Sequence, residues 1–96
     1  MYVFIIYDIP SQRRLKKAAR FCEQNGLHRI QKSVFLGRLS PARVDAVKAE
    51  AKRLLSPDED RFLLIPIRQD DLAASADLGL DCGIRELLER PNVIFA

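Results

Sequence analysis

The first apolar run, Tyr2 to Tyr7, is built from aromatic and β-branched residues and stops at Asp8, with Pro10 just beyond. That composition predicts a strand. The proline lacks the N–H that further pairing would need. The period then changes. Leu15, Ala18, Ala19 and Cys22 recur at i, i+3, i+4 and i+7, which is one stripe of a helix. Ser11 can cap its start, and Asn25-Gly26 is a stop signal. Loose alternation returns from Leu27 to Leu39, with Ile30, Val34 and Phe35 apolar and Arg29, Gln31 and Lys32 polar. It predicts two short strands joined by a tight bend near Lys32-Ser33. Ser40-Pro41 offers a cap followed by a proline at the first helical position. Val44, Val47, Ala51, Leu54 and Leu55 form the second stripe, closed by Ser56-Pro57. Asp58-Glu59-Asp60 matches no calcium loop and is expected to be a solvated turn. Phe62 to Ile67 predicts a fourth strand.

The order over residues 2–67 is therefore β-α-β-β-α-β, which is the ferredoxin-like or split βαβ arrangement. An α+β sandwich is expected, with an antiparallel sheet, both helices on one face, and the first and fourth strands close together. Residues 68–96 form a C-terminal extension. Residues 68–80 show no periodicity and are expected to be a linker. Ile84 to Glu89 suits one or two helical turns. Val93 to Phe95 suits a short fifth strand after Pro91-Asn92.

The outer strands imply a cover. Tyr2, Phe4 and Ile6 point one way and Val3, Ile5 and Tyr7 the other, yet both sets are apolar. Phe62 to Ile67 repeats the pattern. A half-solvated antiparallel sheet should alternate apolar with polar. Two helices cover one face only, so the other needs the apolar tail or a second copy of the sheet. A face-to-face homodimer is expected, with the tail reaching the partner protomer as an addition.

Composition then narrows the classes. A chain of 96 residues makes one small domain, and 48% apolar with 30% charged residues is too hydrophobic for a disordered segment. The Tyr2–Tyr7 run is too short to span a bilayer. It lacks a basic start and a cleavage pattern, so no signal peptide is expected and a cytoplasmic setting is. Cys22 and Cys82 show neither metal spacing nor a disulfide framework, and are expected to be small buried residues in a reducing compartment. His28 has no second histidine to share a metal, and there is no Gly-rich phosphate loop. Charge is lopsided. Residues 1–69 carry 14 Lys and Arg against 7 Asp and Glu, while residues 70–96 carry 2 against 6. A basic body of this kind suits an anionic partner.

Two features can carry chemistry. Asp8 directly follows a buried strand, where it either ends the strand or serves a site. One carboxylate holds Mg²⁺ poorly. Two copies of Asp8 facing across a two-fold axis would hold it better, and such an ion activates water at a phosphodiester. The second feature is cationic. Arg13, Arg14, Lys16, Lys17 and Arg20 lie in the first helix, and Arg29, Lys32 and Arg38 in the hairpin. They form either a solvated face or a strip that tracks phosphates without reading bases. No RNP-type aromatic motif is present, so duplex or backbone recognition fits better than base stacking.

Three pieces together resemble a known family: Tyr2-Val3-Phe4-Ile5-Ile6-Tyr7-Asp8-Ile9, then Gly26-Leu27-His28-Arg29-Ile30-Gln31-Lys32-Ser33-Val34-Phe35-Leu36-Gly37, then Asp58-Glu59-Asp60 before a strand ending in Pro66-Ile67. At these spacings the chain resembles the CRISPR-associated protein 2 family, the small core proteins of spacer acquisition, over about residues 1–67. The resemblance implies a ferredoxin-like homodimer whose terminal strand joins the partner's sheet. It also implies a complex with the CRISPR integrase and contact with duplex DNA. Some members are Mg²⁺-dependent nucleases of single-stranded RNA or duplex DNA. Asp8 falls on their metal-ligand position, and Tyr7, Arg29, Ser33 and Phe35 fall on positions tied to that site. Leu15 stands where some RNA-cutting members carry arginine, and Lys32 replaces a common tyrosine.

Two functions of different classes follow: a dimeric DNA-binding adaptor, and a metal-dependent endonuclease using Asp8 and Arg29. A small-ligand regulatory domain of the same fold is a third, disfavoured by the basic helix and the missing Gly-rich loop.

Overall fold

A computed structural model of the chain describes residues 1–89. Strand β1 (Tyr2–Asp8) leads to helix α1 (Gln12–Gln24). Strands β2 (His28–Gln31) and β3 (Val34–Arg38) form a hairpin. Helix α2 (Pro41–Leu54) and strand β4 (Arg61–Ile67) follow, and then two short helices, α3 (Gln69–Ala73) and α4 (Ile84–Leu88).

The elements start and stop where the polar punctuation places them. Ser11 has extended backbone, and its hydroxyl accepts from Arg14 N at 3.3 Å. Ser40 does the same for Arg43 N at 3.1 Å, with Pro41 in the first turn. Each cap satisfies one of the donors a helix start leaves open, worth about 1 kcal/mol. Gly26, at φ 79°, reverses the chain after α1.

The four strands form one antiparallel sheet in the order β2-β3-β1-β4. β1 is central. Tyr2 pairs with Arg38 and Ile6 with Val34 on one side, and Tyr2 with Ile67 and Asp8 with Arg61 on the other. Asp8 is thus a paired member of the strand. Gly37 is needed for a close approach, since a Cβ there would sit 2.6 Å from Leu27 Cδ2.

Two apolar clusters lie on the two faces. On the first, Val3, Ile5, Tyr7 and Phe35 meet Ala18 and Cys22 of α1 and Val44 and Val47 of α2. Both long helices cover this face, as the stripes predict. On the second, Tyr2 and Leu36 meet Leu72 of α3 and Leu87 of α4, flanked by Phe4, Ile30 and Ile67. The extension folds back on its own sheet. Its cover is incomplete, because Leu63 and Ile65 of β4 remain 57% and 40% exposed.

Three expectations need correction. Residues 68–80 are not all linker, since α3 occupies Gln69–Ala73 and Leu72 anchors it. A five-residue helix shows only one turn of pattern, too little to register as periodicity. Asp70 and Asp71 stand in its first turn, where the helix dipole favours acids. The acidic turn before β4 is not merely solvated, because Asp60 has no exposed side-chain surface and is held by Arg14. Cys82 is partly exposed, while Cys22 is buried. The expected strand from Val93 to Phe95 lies outside the described residues.

Candidate nucleic-acid interface

Helix α1 builds a cationic face directly opposite its apolar stripe. Arg13, Lys16, Lys17 and Arg20 recur at i, i+3, i+4 and i+7, and all four are exposed. There is no acid in the first turn of α1. Arginine at a helix start opposes the dipole, at a local cost of about 0.3–1 kcal/mol. The dipole therefore does not account for the arginine at position 13.

Arg14 faces elsewhere. Its Nε donates to Asp60 Oδ2 at 2.8 Å, and its Nη2 donates to Glu59 Oε2 at 2.6 Å and to Asp60 Oδ1 at 3.2 Å. Ser56 N donates to the same Asp60 Oδ2 at 2.8 Å. The Arg14 hydrogen bonds, the largest influence, hold the Asp60 carboxyl below the usual carboxylate range. Arg14 thus ties α1 to the turn before β4, and its guanidinium is committed there.

A second cationic group gathers between α1 and the β2–β3 turn. Tyr7, Lys16, Arg29, Lys32 and Ser33 line a cleft of about 180 Å³, walled by Leu15 and Ala19. The Arg29 guanidinium stands 5.2 Å above the Phe35 ring, a cation–π contact that fixes its side chain. Tyr7 stacks between Phe35 and Phe62, at centroid distances of 6.2 and 5.9 Å. Ser33 sits at φ 63°, a left-handed conformation uncommon outside glycine. Its carbonyl accepts from Tyr7 N at 3.1 Å, which pins the turn to the end of β1. Burial pushes the Tyr7 phenol up from its ordinary value, and the Arg29 charge offsets this only in part. Tyr7 is consequently a neutral donor at physiological pH, not a phenolate. Cys22, on the buried face of α1, is likewise inert, its thiol pushed up to about 12 by burial.

Asp8 is not part of this cleft. Adjacent residues of a strand point to opposite faces. Tyr7 belongs to the helix-covered face, so Asp8 belongs to the other, exposed at the strand end and paired in register with Arg61. The structure thus unites Tyr7, Arg29, Lys32, Ser33 and Lys16 and separates them from Asp8. Arg38 lies apart from both. It stands 5.5 Å over the Tyr2 ring at the opposite end of β1, in a hollow shared with Arg68. Lys16 belongs to both the helix stripe and the cleft, a connection that depends on how α1 packs beside the β2–β3 turn and that no local pattern in the sequence announces.

The sheet order, the basic helix and the Tyr-Asp strand end define a small α+β protein with a cationic helix face and a cation-lined cleft. The chain belongs to the CRISPR associated protein Cas2 family, whose model matches residues 1–74. It is 34% identical over 68 residues to a CRISPR-associated endoribonuclease Cas2 of Thermococcus kodakarensis, covering 71% of this chain and 78% of that protein. It is 33% identical over 84 residues to one of Fusobacterium nucleatum, covering 83% and 78%. A crystal structure of Streptococcus pyogenes Cas2 at pH 6.5 shares the fold, with a TM-score of 0.72 at 22% identity, over 82% of this chain and all (100%) of that one. Among the described residues, no helix is long and apolar enough to cross a membrane.

Proposed function

We propose that this chain is the nucleic-acid-binding adaptor of CRISPR spacer acquisition. In this reading, two ferredoxin-like protomers pair face to face through their outer sheet surfaces. The dimer bridges copies of the integrase in the cytoplasm, and duplex DNA lies along α1. The observation that carries the reading is the exposed stripe of Arg13, Lys16, Lys17 and Arg20. Four cations at one helical spacing neutralise successive phosphates without reading sequence. The open apolar ridge of Leu63 and Ile65 supports the pairing.

A second reading, a Mg²⁺-dependent endonuclease acting on single-stranded RNA or duplex DNA, is supported by the exposed Asp8 at its strand end and by the relatives named as endoribonucleases. One chain does not make the metal site by itself. Its register partner there is the cation Arg61, and no group of three ligating side chains occurs among the described residues. Hard divalent cations need several oxygens, so the partner copy's carboxylate would be required.

The two readings part on one variant. Asp8→Ala is assayed for Mg²⁺-dependent cleavage of RNA and duplex DNA, and for spacer acquisition with the integrase. The adaptor reading expects acquisition to persist even if cleavage disappears. Lost acquisition with an intact dimer would overturn it.

A further inference from the structure

We infer that the hollow at the amino end of β1 is a docking site for a short acidic peptide of a protein partner. Arg38 and Arg68 hold a carboxylate side chain of that peptide, and an adjoining apolar side chain rests on the floor. Neither arginine belongs to the α1 stripe or to the Tyr7 cleft. The hollow holds about 400 Å³, within the roughly 300–1,000 Å³ of pockets that take organic ligands. Tyr2, Pro66 and Ile67 supply its apolar surface, Arg38, Arg68 and Gln69 supply donors, and no carboxylate lines it. Asp70 and Asp71 follow in α3 but do not line the hollow.

Strand register builds the site. Tyr2 pairs with Arg38 of β3 on one side and with Ile67 of β4 on the other, so the three side chains share one face of the sheet. The Arg38 guanidinium stands 5.5 Å from the centre of the Tyr2 ring, a cation–π contact that restrains its side chain. The backbone around it is also fixed. Leu39 N donates to Met1 O at 2.8 Å, and Arg68 O accepts from Asp71 N at 3.1 Å and from Leu72 N at 3.2 Å. Yet among the described residues neither Arg38 nor Arg68 has an ion-pair partner. Two guanidinium groups held over an apolar floor bind a carboxylate with charge-assisted hydrogen bonds and at a reduced ordering cost.

A peptide suits this hollow better than a nucleic acid. Tyr2 and Asp8 stand at the two ends of a seven-residue strand, about 20 Å apart at 3.3 Å per residue. Tyr2 belongs to the outer apolar cluster, whereas α1 packs on the other face. The α1 stripe and the hollow therefore look out on opposite sides of the sheet. A phosphodiester backbone has little apolar surface to set against Tyr2, Pro66 and Ile67. A glutamate beside a leucine offers both the charge and the apolar group from one short segment.

The site does not depend on the spacer-acquisition reading. The full-length protein is titrated at constant ionic strength with a blocked Leu-Glu-Leu tripeptide and with its Leu-Gln-Leu analogue, and amide chemical shifts are followed. Saturable shifts at Tyr2, Arg38, Ile67 and Arg68 are expected, with none at Tyr7 or Lys16. Arg38→Gln, Arg68→Gln and the Leu-Gln-Leu analogue should each weaken binding about tenfold, the loss of one charge-assisted hydrogen bond. Arg38→Lys should recover part of the loss, because an ammonium keeps the charge without the bidentate fork. Lys16→Gln should change nothing. Arg68 is exposed, so Arg68→Gln keeps the test readable if Arg38→Gln loosens the packing of Tyr2. A linear response, equal binding of the two peptides, or shifts centred on Tyr7 overturns the site. A short DNA duplex in place of the peptide should leave Tyr2, Arg38 and Arg68 unshifted. Saturable shifts there would assign the hollow to nucleic acid and overturn the peptide site, whereas a duplex that binds nowhere counts against the nucleic-acid reading alone.

Discussion

The two faces of the sheet are equally apolar in sequence but unequal in structure. Val3, Ile5, Tyr7 and Phe35 are all buried beneath two helices of 13 and 14 residues. On the other face, Tyr2 and Leu36 are buried by two helices of only five residues each, while Leu63 and Ile65 stay exposed. The helix-covered face is complete within one chain. The outer face is finished at the β2–β3 side and unfinished at the β4 edge. Burial that depends on short helices is also burial that can be lost locally, because such segments open without unfolding the whole domain.

That contrast is testable by truncation. Phe35→Ala, at the centre of the complete face, should cost about 3–5 kcal/mol. Against a typical total of roughly 5–15 kcal/mol, this removes much of the stability. Leu72→Ala, on the outer face, should cost about 2 kcal/mol, the low end for a buried leucine, because α3 can detach while the sheet persists. Urea unfolding of both variants measures the difference. Equal losses would show that the extension is as integral to the domain as α1 and α2.

Legibility in the sequence follows the same divide. The first six elements could be read because each carries its own punctuation: Ser11, Asn25-Gly26, Ser40-Pro41 and the bend at Lys32-Ser33. Helix α3 could not, since Leu72 is its single buried residue and one apolar position has no period. The Arg14 clamp was invisible for a different reason. Arg14 and Asp60 are 46 residues apart, and nothing local announces such a pairing. Within the site, the family resemblance ties Tyr7 to the centre that Asp8 would serve. The alternation of side chains along a strand separates them, and that separation follows from the strand pattern alone. The meeting of Lys16 with Arg29 and Lys32 needed the tertiary arrangement.

The Arg14 clamp lets the complete face be weakened by pH. In the folded protein the Asp60 carboxyl is held below its ordinary value, chiefly by the Arg14 hydrogen bonds. A depressed folded value means a stabilising contribution that is present above about pH 4, the unfolded value. It is lost as the pH falls through the lower folded value. Arg14→Gln should therefore lower the melting temperature at neutral pH. The gap from the wild type should narrow steadily below about pH 4. Thermal melts from neutral to strongly acidic pH check this. A gap that stays constant across that range would mean that Arg14 stabilises α1 by stem contacts rather than through its charge.

The smallest effect on folding, and the sharpest on assembly, is expected at the unfinished edge. Leu63 and Ile65 are exposed in the single chain, so Leu63→Ser with Ile65→Ser should change the stability of an isolated protomer by no more than about 0.5 kcal/mol. If a second copy covers this ridge, the same pair of substitutions should convert a dimer to a monomer in light scattering. Concentration separates the two effects. A dimer that binds through the native face gains stability by mass action, so the wild-type melting temperature should rise with protein concentration while that of the double variant should not. A double variant that remains dimeric, with the same concentration dependence as the wild type, would place the interface elsewhere on the molecule. The apolar β4 edge would then be left without a partner copy to explain it.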